Sequence, residues 1–295
     1  MKIVVILNKN AKAVTDNKEL KEDSITETFK SLNIQSDIKF VEGNKLIETA
    51  ENALKEKYDV IAVAGGDGTI SSVASVLAGS KTPLGVLPLG TLNHFAKDLK
   101  IPLDFNGAAE TISKNKIKKI DVGEVNGRIF INNSSIGFYP RIVRHRERHT
   151  ENLGIGKWPA MAVALLNVFR RMPSINVKLH SDKESVRIKT PFVFVGNNEY
   201  QMDLFNLGTR ESLDKGKLYV YFPHTSGKVS ILKFAFLSLL NKIKQAEDFV
   251  IDYSDEIILE TKKKNLEISA DGELLRLDTP LHYKIKPLSL NVIVP

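Results

Sequence analysis

Along roughly the first 125 residues, short apolar runs alternate with stretches whose apolar positions recur at helical spacing. Residues 2–7 (KIVVIL), 59–64 (DVIAVA) and 83–87 (PLGVL) each read as a buried strand. Between them, residues 47–54 (IETAENAL) keep apolar and small positions on one helical face. So do Ile70, Val73, Ala74, Leu77 and Ala78, at i, i+3, i+4, i+7 and i+8. Strands joined by helices predict βα units on a parallel sheet. From about Gly123 the texture changes to short, mostly alternating runs: 128–132 (RIFIN), 175–180 (INVKLH), 186–190 (VRIKT), 217–222 (KLYVYF), 256–260 (EIILE) and 266–270 (LEISA). A period of two predicts antiparallel strands. Two helical insertions interrupt them near 157–171 and 228–245, and residues 282–295 read as one or two closing strands. A βα-rich part followed by a β-rich part predicts two domains meeting near residue 123, with a ligand site in the cleft.

Composition narrows the class. The chain has 295 residues, 42% of them hydrophobic, which is enough for a sizeable core in one large or two ordinary domains. It has no cysteine, so disulfides and thiolate metal sites are excluded. The apolar run after Lys2 ends at Asn8 and Lys9, short of the roughly 7–15 residues of a secretory h-region. No stretch approaches the ~20 apolar residues of a spanning helix. These features predict a cytoplasmic protein. The net charge of +7 is either a solvated basic surface or an attraction to anions, such as nucleotide phosphates or an acidic membrane face. Zinc spacing, basic–aromatic interleaving and RNP-like segments are all missing, so no nucleic-acid partner is expected.

The sharpest local signal is Gly65-Gly66-Asp67-Gly68-Thr69, which follows an apolar strand and opens an amphipathic helix. A phosphate site needs backbone N–H groups aimed at the ligand and no side chains in the way, and glycines between a strand and a helix supply both. A carboxylate beside polyphosphate is costly unless a metal lies between, so Asp67 points to Mg²⁺ bridging it to the phosphates. The plainer reading is a tight strand–helix turn with Asp67 as a cap. A second glycine turn, Pro88-Leu89-Gly90-Thr91-Leu92-Asn93, follows the strand at 83–87. Parallel strands would bring both turns to one sheet edge, where ligands bind in open α/β folds. Thr91 and Asn93 could bond phosphate or ribose, or cap the next helix. Neither a Walker loop nor a Rossmann fingerprint occurs.

These segments, with Asp121-Val122-Gly123, residues 132–137 (NNSSIG), Gly196-Asn197-Asn198 and Asp271-Gly272-Glu273, come in the order of the diacylglycerol kinase catalytic family, and the chain resembles that family over nearly its whole length. The resemblance implies a two-domain fold. An N-terminal α/β domain like that of NAD kinase and diacylglycerol kinase (1–122, rejoined by a closing strand at 284–295) precedes a β-sandwich substrate domain (123–283). It implies an ATP-dependent lipid kinase acting with Mg²⁺ on a hydroxyl of diacylglycerol, a sphingoid base or a related membrane lipid. The nucleotide would lie over Asn8, Gly65, Gly66, Asp67, Gly68, Thr69, Ile70, Ser71, Gly90, Thr91 and Asn93. Glu273 is read as the acceptor of the hydroxyl proton with Asp271 as its partner. The two would share a strand face unless Gly272 turns the chain, and an ordinary Asp-Gly turn is the plainer reading.

The chain departs from the family at three places. His94 stands where a carboxylate is usual, Lys9 where proline is, and Lys215 where bacterial relatives offer an aspartate to a structural Mg²⁺. Lys215 is expected to replace that cation, with Asp214 still able to act as a ligand. Two apolar helical stretches, 157–172 with Trp158 and 229–243, and a basic run with Arg141, Arg144, Arg146 and Arg148, suit either core packing or peripheral contact with the inner membrane face. The rival readings are a NAD kinase-like enzyme with a soluble substrate and a non-catalytic nucleotide-regulated module that binds membrane or protein.

Overall fold

The computed structural model of the chain describes residues 1–9, 21–137, 174–182, 185–200, 209–223 and 249–295. It divides into two compact units. The first comprises Met1–Val122, Thr209–Gly216 and Lys286–Pro295; the second comprises Gly123–Gly208 and Lys217–Ile285.

In the first unit, β1 (Lys2–Asn8), β3 (Val60–Gly65) and β4 (Leu84–Pro88) run parallel, with β2 (Gln35–Val41) outside β1 and the end of β16 (Leu281–Ile293) beside β4. All of β3 and residues 3–7 of β1 are buried, as expected of strands covered on both faces. Around the sheet, α1 (Glu22–Ser31) packs with α5 (Phe105–Lys114), where Phe29 and Phe105 meet edge-on at 6.4 Å. Separately, α2 (Leu46–Lys55) packs with α3 (Asp67–Leu77). The short α4 (His94–Asp98) follows β4. Because β1 has β2 on one side and β3 on the other, the strand order reverses there. The carboxyl ends of β1 and β3, at Asn8 and Gly65, therefore flank the crevice where open α/β sheets take ligands.

The second unit is a sandwich. One antiparallel sheet runs β12 (Phe249–Ser254), β11 (Leu218–Pro223), β10 (Phe192–Asn197), β7 (Asn133–Gly137), β14 (Asn265–Ala270) and β15 (Glu273–Asp278). The other carries the start of β16, then β13 (Glu256–Glu260), β8 (Ile175–His180) and β9 (Ser185–Thr190). The end of β5 (Ile117–Val125) forms a hairpin with β6 (Arg128–Phe130). Alternate residues from the two sheets, among them Ile136, Val195, Val220 and Ile268 against Val177, Leu179, Ile257 and Tyr283, form one core.

One boundary departs from expectation. Thr209–Gly216 lies inside the stretch read as the substrate domain yet packs with the first unit. Its backbone is the reason: Leu213 O accepts the Asp121 N–H at 2.7 Å, and the Gly216 N–H donates to Asp121 Oδ2 at 2.7 Å. Among the described residues, no helix is long and apolar enough to cross a membrane.

Candidate functional site

The two glycine turns of the first unit come together. β3 and β4 end in register, Gly65 opposite Pro88, and the Leu89 N–H donates to Gly65 O at 2.9 Å. A Cβ on Gly90 would lie 2.6 Å from the Gly66 Cα, and one on Gly65 would lie 2.6 Å from the Thr69 Cβ. Only bare backbone permits this approach. A Cβ on Gly68 would meet nothing within 4 Å, so that side of the loop is open. Gly66 is the N-cap of α3 and no side chain caps it, so the first-turn amides lack intrahelical partners. A cradle that side chains would fill, at the start of an eleven-residue helix, fits a phosphate chain.

Asp67 stands at the first position of α3, and its Oδ1 accepts the Phe95 N–H at 3.2 Å. The loop carboxylate is thereby tied to the start of α4. A carboxylate beside the cradle fits a divalent ion carried by a phosphate chain. Asn93 uses its amide on the turn itself: Oδ1 accepts from the Gly90 N–H at 2.9 Å and Nδ2 donates to Gly90 O at 2.8 Å. Its backbone is left-handed, at φ 50°, and it makes no side-chain cap to α4. Asn93 is therefore a brace of the Gly90 turn, a role that neither reading of the sequence offered. Ile70 is fully buried and its N–H is spent on Gly66 O at 3.0 Å, so it has neither a side chain nor an amide to give a ligand. Thr69 and Ser71 are 9% exposed, whereas Thr91 is exposed. Asn8 closes β1, and Lys9 beside it pairs with Glu42 at 2.8 Å.

In the second unit, three separate motifs converge on one hairpin. Asp271 and Gly272, at φ 48° and 86°, form its turn between β14 and β15. Two successive positive φ values are the signature of a tight two-residue hairpin. Gly272 thus turns the chain, and Asp271 and Glu273 do not follow one another along a strand face. The Asp271 carboxylate accepts from the N–H groups of Ile131 (2.8 Å), Asn132 (2.8 Å) and Asn133 (3.0 Å). Asn197, fully buried, donates its Nδ2–H to Ile131 O at 2.9 Å, and its N–H bonds Asn132 O at 2.9 Å. The bend at 131–132 is thereby held from both sides. Glu273 opens β15 opposite Ala270 and is exposed, a carboxylate presented from a fixed hairpin end.

At the turn read as a structural cation site, Lys118 supplies a positive charge, its Nζ 3.0 Å from Asp214 Oδ2. The Ser212 hydroxyl also donates to Asp214. The hydroxyl and the ammonium together hold the Asp214 carboxyl below its usual range. The nearby Asp121 is spent on backbone, Oδ2 on the Gly216 N–H (2.7 Å) and Oδ1 on the Leu288 N–H (2.8 Å). No group of three or more His, Asp or Glu among the described residues could hold a metal. An ammonium thus occupies one oxygen of the Asp214 carboxylate at this turn. The expected cation, Lys215, lies beside Asp214 in sequence, while Lys118 arrives from β5. The basic run at Arg141, Arg144, Arg146 and Arg148 and the apolar stretches 157–172 and 229–243 lie outside the described residues.

Comparison with known proteins adds an independent line. Residues 2–125 match the diacylglycerol kinase catalytic domain. A diacylglycerol kinase from Staphylococcus aureus (strain bovine RF122 / ET3-1) is 43% identical over 226 residues, 76% of this chain and 71% of that protein. An uncharacterized protein, sll0036, from Synechocystis is 27% identical over 92% of this chain but 63% of its own length, so the chain spans about two thirds of that relative. A solved structure of a diacylglycerol kinase from Bacillus anthracis str. Sterne matches the whole chain and 97% of its own, with a TM-score of 0.70 at 20% identity. Another from that organism reaches a TM-score of 0.76 at 22% identity. At such identities the likeness shows the fold.

Proposed function

The chain belongs to the diacylglycerol kinase family, and from that premise we propose that it transfers the γ-phosphoryl group of Mg-ATP to a hydroxyl of a membrane lipid. The observation that supports this reading best is the glycine cradle, where Gly65 and Gly90 leave no room for side chains and Asp67 stands at the helix start. The bare amides of that turn neutralise phosphate oxygens, and the Asp67 carboxylate holds the Mg²⁺ that travels with the nucleotide. In the second unit, Glu273 takes the proton of the lipid hydroxyl as its oxygen bonds to the γ-phosphorus. The bond from that phosphorus to the bridging oxygen breaks, and ADP leaves. Asp271 holds the hairpin in place and takes no proton, since its oxygens are engaged by three backbone amides. The acceptor is diacylglycerol, a sphingoid base or a related lipid, reached by peripheral contact with the membrane.

The test is incubation with γ-labelled ATP, Mg²⁺ and fractionated lipid extract, with NAD offered in a parallel arm. Label should enter a lipid fraction with the wild type and fall to background with Glu273→Gln. Label in NAD, or in no acceptor while ADP still binds, would overturn the lipid-kinase reading.

A further inference from the structure

Asp98 and Arg210 form an ion pair in which both side chains are sealed from solvent: Arg210 Nε donates to Asp98 Oδ2 at 2.8 Å, at 0% exposure on either side. The Arg210 backbone N–H also donates to Asp98 Oδ1, at 3.1 Å. By contrast, the pairs Lys2–Asp37, Lys9–Glu42 and Lys118–Asp214 leave each partner at least 36% exposed. Burial pushes the Asp98 carboxyl above its ordinary range even with the guanidinium beside it. A buried pair loses the hydration of both charges, and an apolar pair of similar volume often stabilises a fold as well or better. Stability is thus a weak explanation for this pair. What two bonds from one residue to one carboxylate do supply is fixed geometry.

The geometry they fix is that of α4. This helix has five residues, far too few to hold itself. Asp98 is its last residue, gripped by Arg210. At its other end, the Phe95 N–H holds Asp67. Just before it, Asn93 braces Gly90, which touches Gly66. Arg210 is itself anchored, because its segment is bound to Asp121 through Leu213 and Gly216 and to Lys118 through Asp214.

We infer that Asp98 and Arg210 are positioning residues, whose buried pair seats α4 so that α4 can hold Asp67 and the Gly90 turn in the shape that receives phosphate. The inference rests on the nucleotide reading of the cradle for its functional consequence, while its geometric half stands apart from it.

The test pairs two measurements on the full chain. The double variant Asp98→Leu/Arg210→Met removes both charges together, so it should fold with a melting temperature within about 5 °C of wild type. Its affinity for Mg-ADP, by calorimetry, should fall at least about tenfold, since small displacements of binding groups have large effects. Without nucleotide, amide exchange should accelerate locally, over residues 89–95 and not across the β1–β3 core. If the double variant fails to fold, Arg210→Lys keeps the charge but loses the planar fork. It should show the same local acceleration, with about threefold weaker Mg-ADP binding. Unchanged exchange over 89–95 together with affinity within twofold of wild type would overturn the inference. So would acceleration spread evenly over the unit, which marks a merely stabilising pair. A wild type that binds no Mg-ADP would sink the nucleotide reading instead, and the exchange pattern would still decide whether the pair positions α4.

Discussion

The molecule uses an aspartate followed by glycine twice, to opposite ends. Asp67-Gly68 sits in the first unit, where the carboxylate takes one backbone bond at 3.2 Å and the glycine faces open space. Asp271-Gly272 sits in the second, where the carboxylate takes three backbone bonds at 2.8–3.0 Å and both residues have left-handed backbone. A carboxylate accepts at about four lone-pair positions, so Asp67 keeps capacity for a ligand while Asp271 is largely consumed by the fold. The same dipeptide is a receiving group at a helix start and a fastener at a hairpin tip. What decides between them is how many amides the surrounding chain aims at the carboxylate.

Breaking each aspartate should separate the two roles. The largest effect is expected for Asp67→Asn, which keeps an oxygen for the Phe95 N–H but loses the charge. Phosphotransfer should fall about a thousandfold, near 4 kcal/mol in the barrier, consistent with the several kcal/mol a bound cation supplies. The melting temperature should move by less than about 2 °C, since one long hydrogen bond is at stake. Next in size, Asp271→Ala strands three amides and should cost about 3 kcal/mol of stability, read by urea unfolding. If Asp67→Asn unfolds the chain as readily as Asp271→Ala does, the contrast collapses and both are fasteners. If Asp271→Ala keeps full stability and loses activity, Asp271 belongs to the chemistry.

The difference between the two turns was only half legible in the sequence. The Gly65-Gly66-Asp67-Gly68-Thr69 run announced itself because strand, loop and helix start are contiguous, and local chemistry is what a sequence displays. The strands β8 and β13 were readable to the residue from their alternation, which one buried face enforces. The strand β2 was not, since an edge strand with mostly half-buried residues shows neither a run nor a clean alternation. Asp271 finds its amides 138–140 residues away, and Arg210 finds Asp98 at a separation of 112. No periodicity reports partners at such range. The assignment of 209–216 to the wrong half has the same origin, because the segment has no apolar period and is placed by bonds to Asp121. Asn93 shows a subtler failure. Its neighbours suggested a cap or a ligand contact, and only the left-handed backbone reveals an amide folded onto its own turn.

The finest probe of the contrast is the glycine of each pair. Gly272, at φ 86°, occupies a backbone region in which a side chain is strained, so Gly272→Ala should cost about 1 kcal/mol of stability. Gly68 has no such constraint and lies in the first turn of α3, where a built Cβ meets nothing within 4 Å. Helical alanine is favoured over glycine by roughly 0.5–1 kcal/mol, so Gly68→Ala should raise stability slightly. The same methyl would project into the open side of the cradle, and Mg-ADP affinity should drop about fivefold even as the melting temperature rises. Opposite signs in the two readouts from one methyl group would mark Gly68 as a glycine kept for its ligand, whereas Gly272 is kept for its backbone. If Gly68→Ala stabilises the chain and leaves Mg-ADP binding unchanged, the phosphates do not pass over this residue, and the receiving face of the cradle must be sought on the Gly90 side.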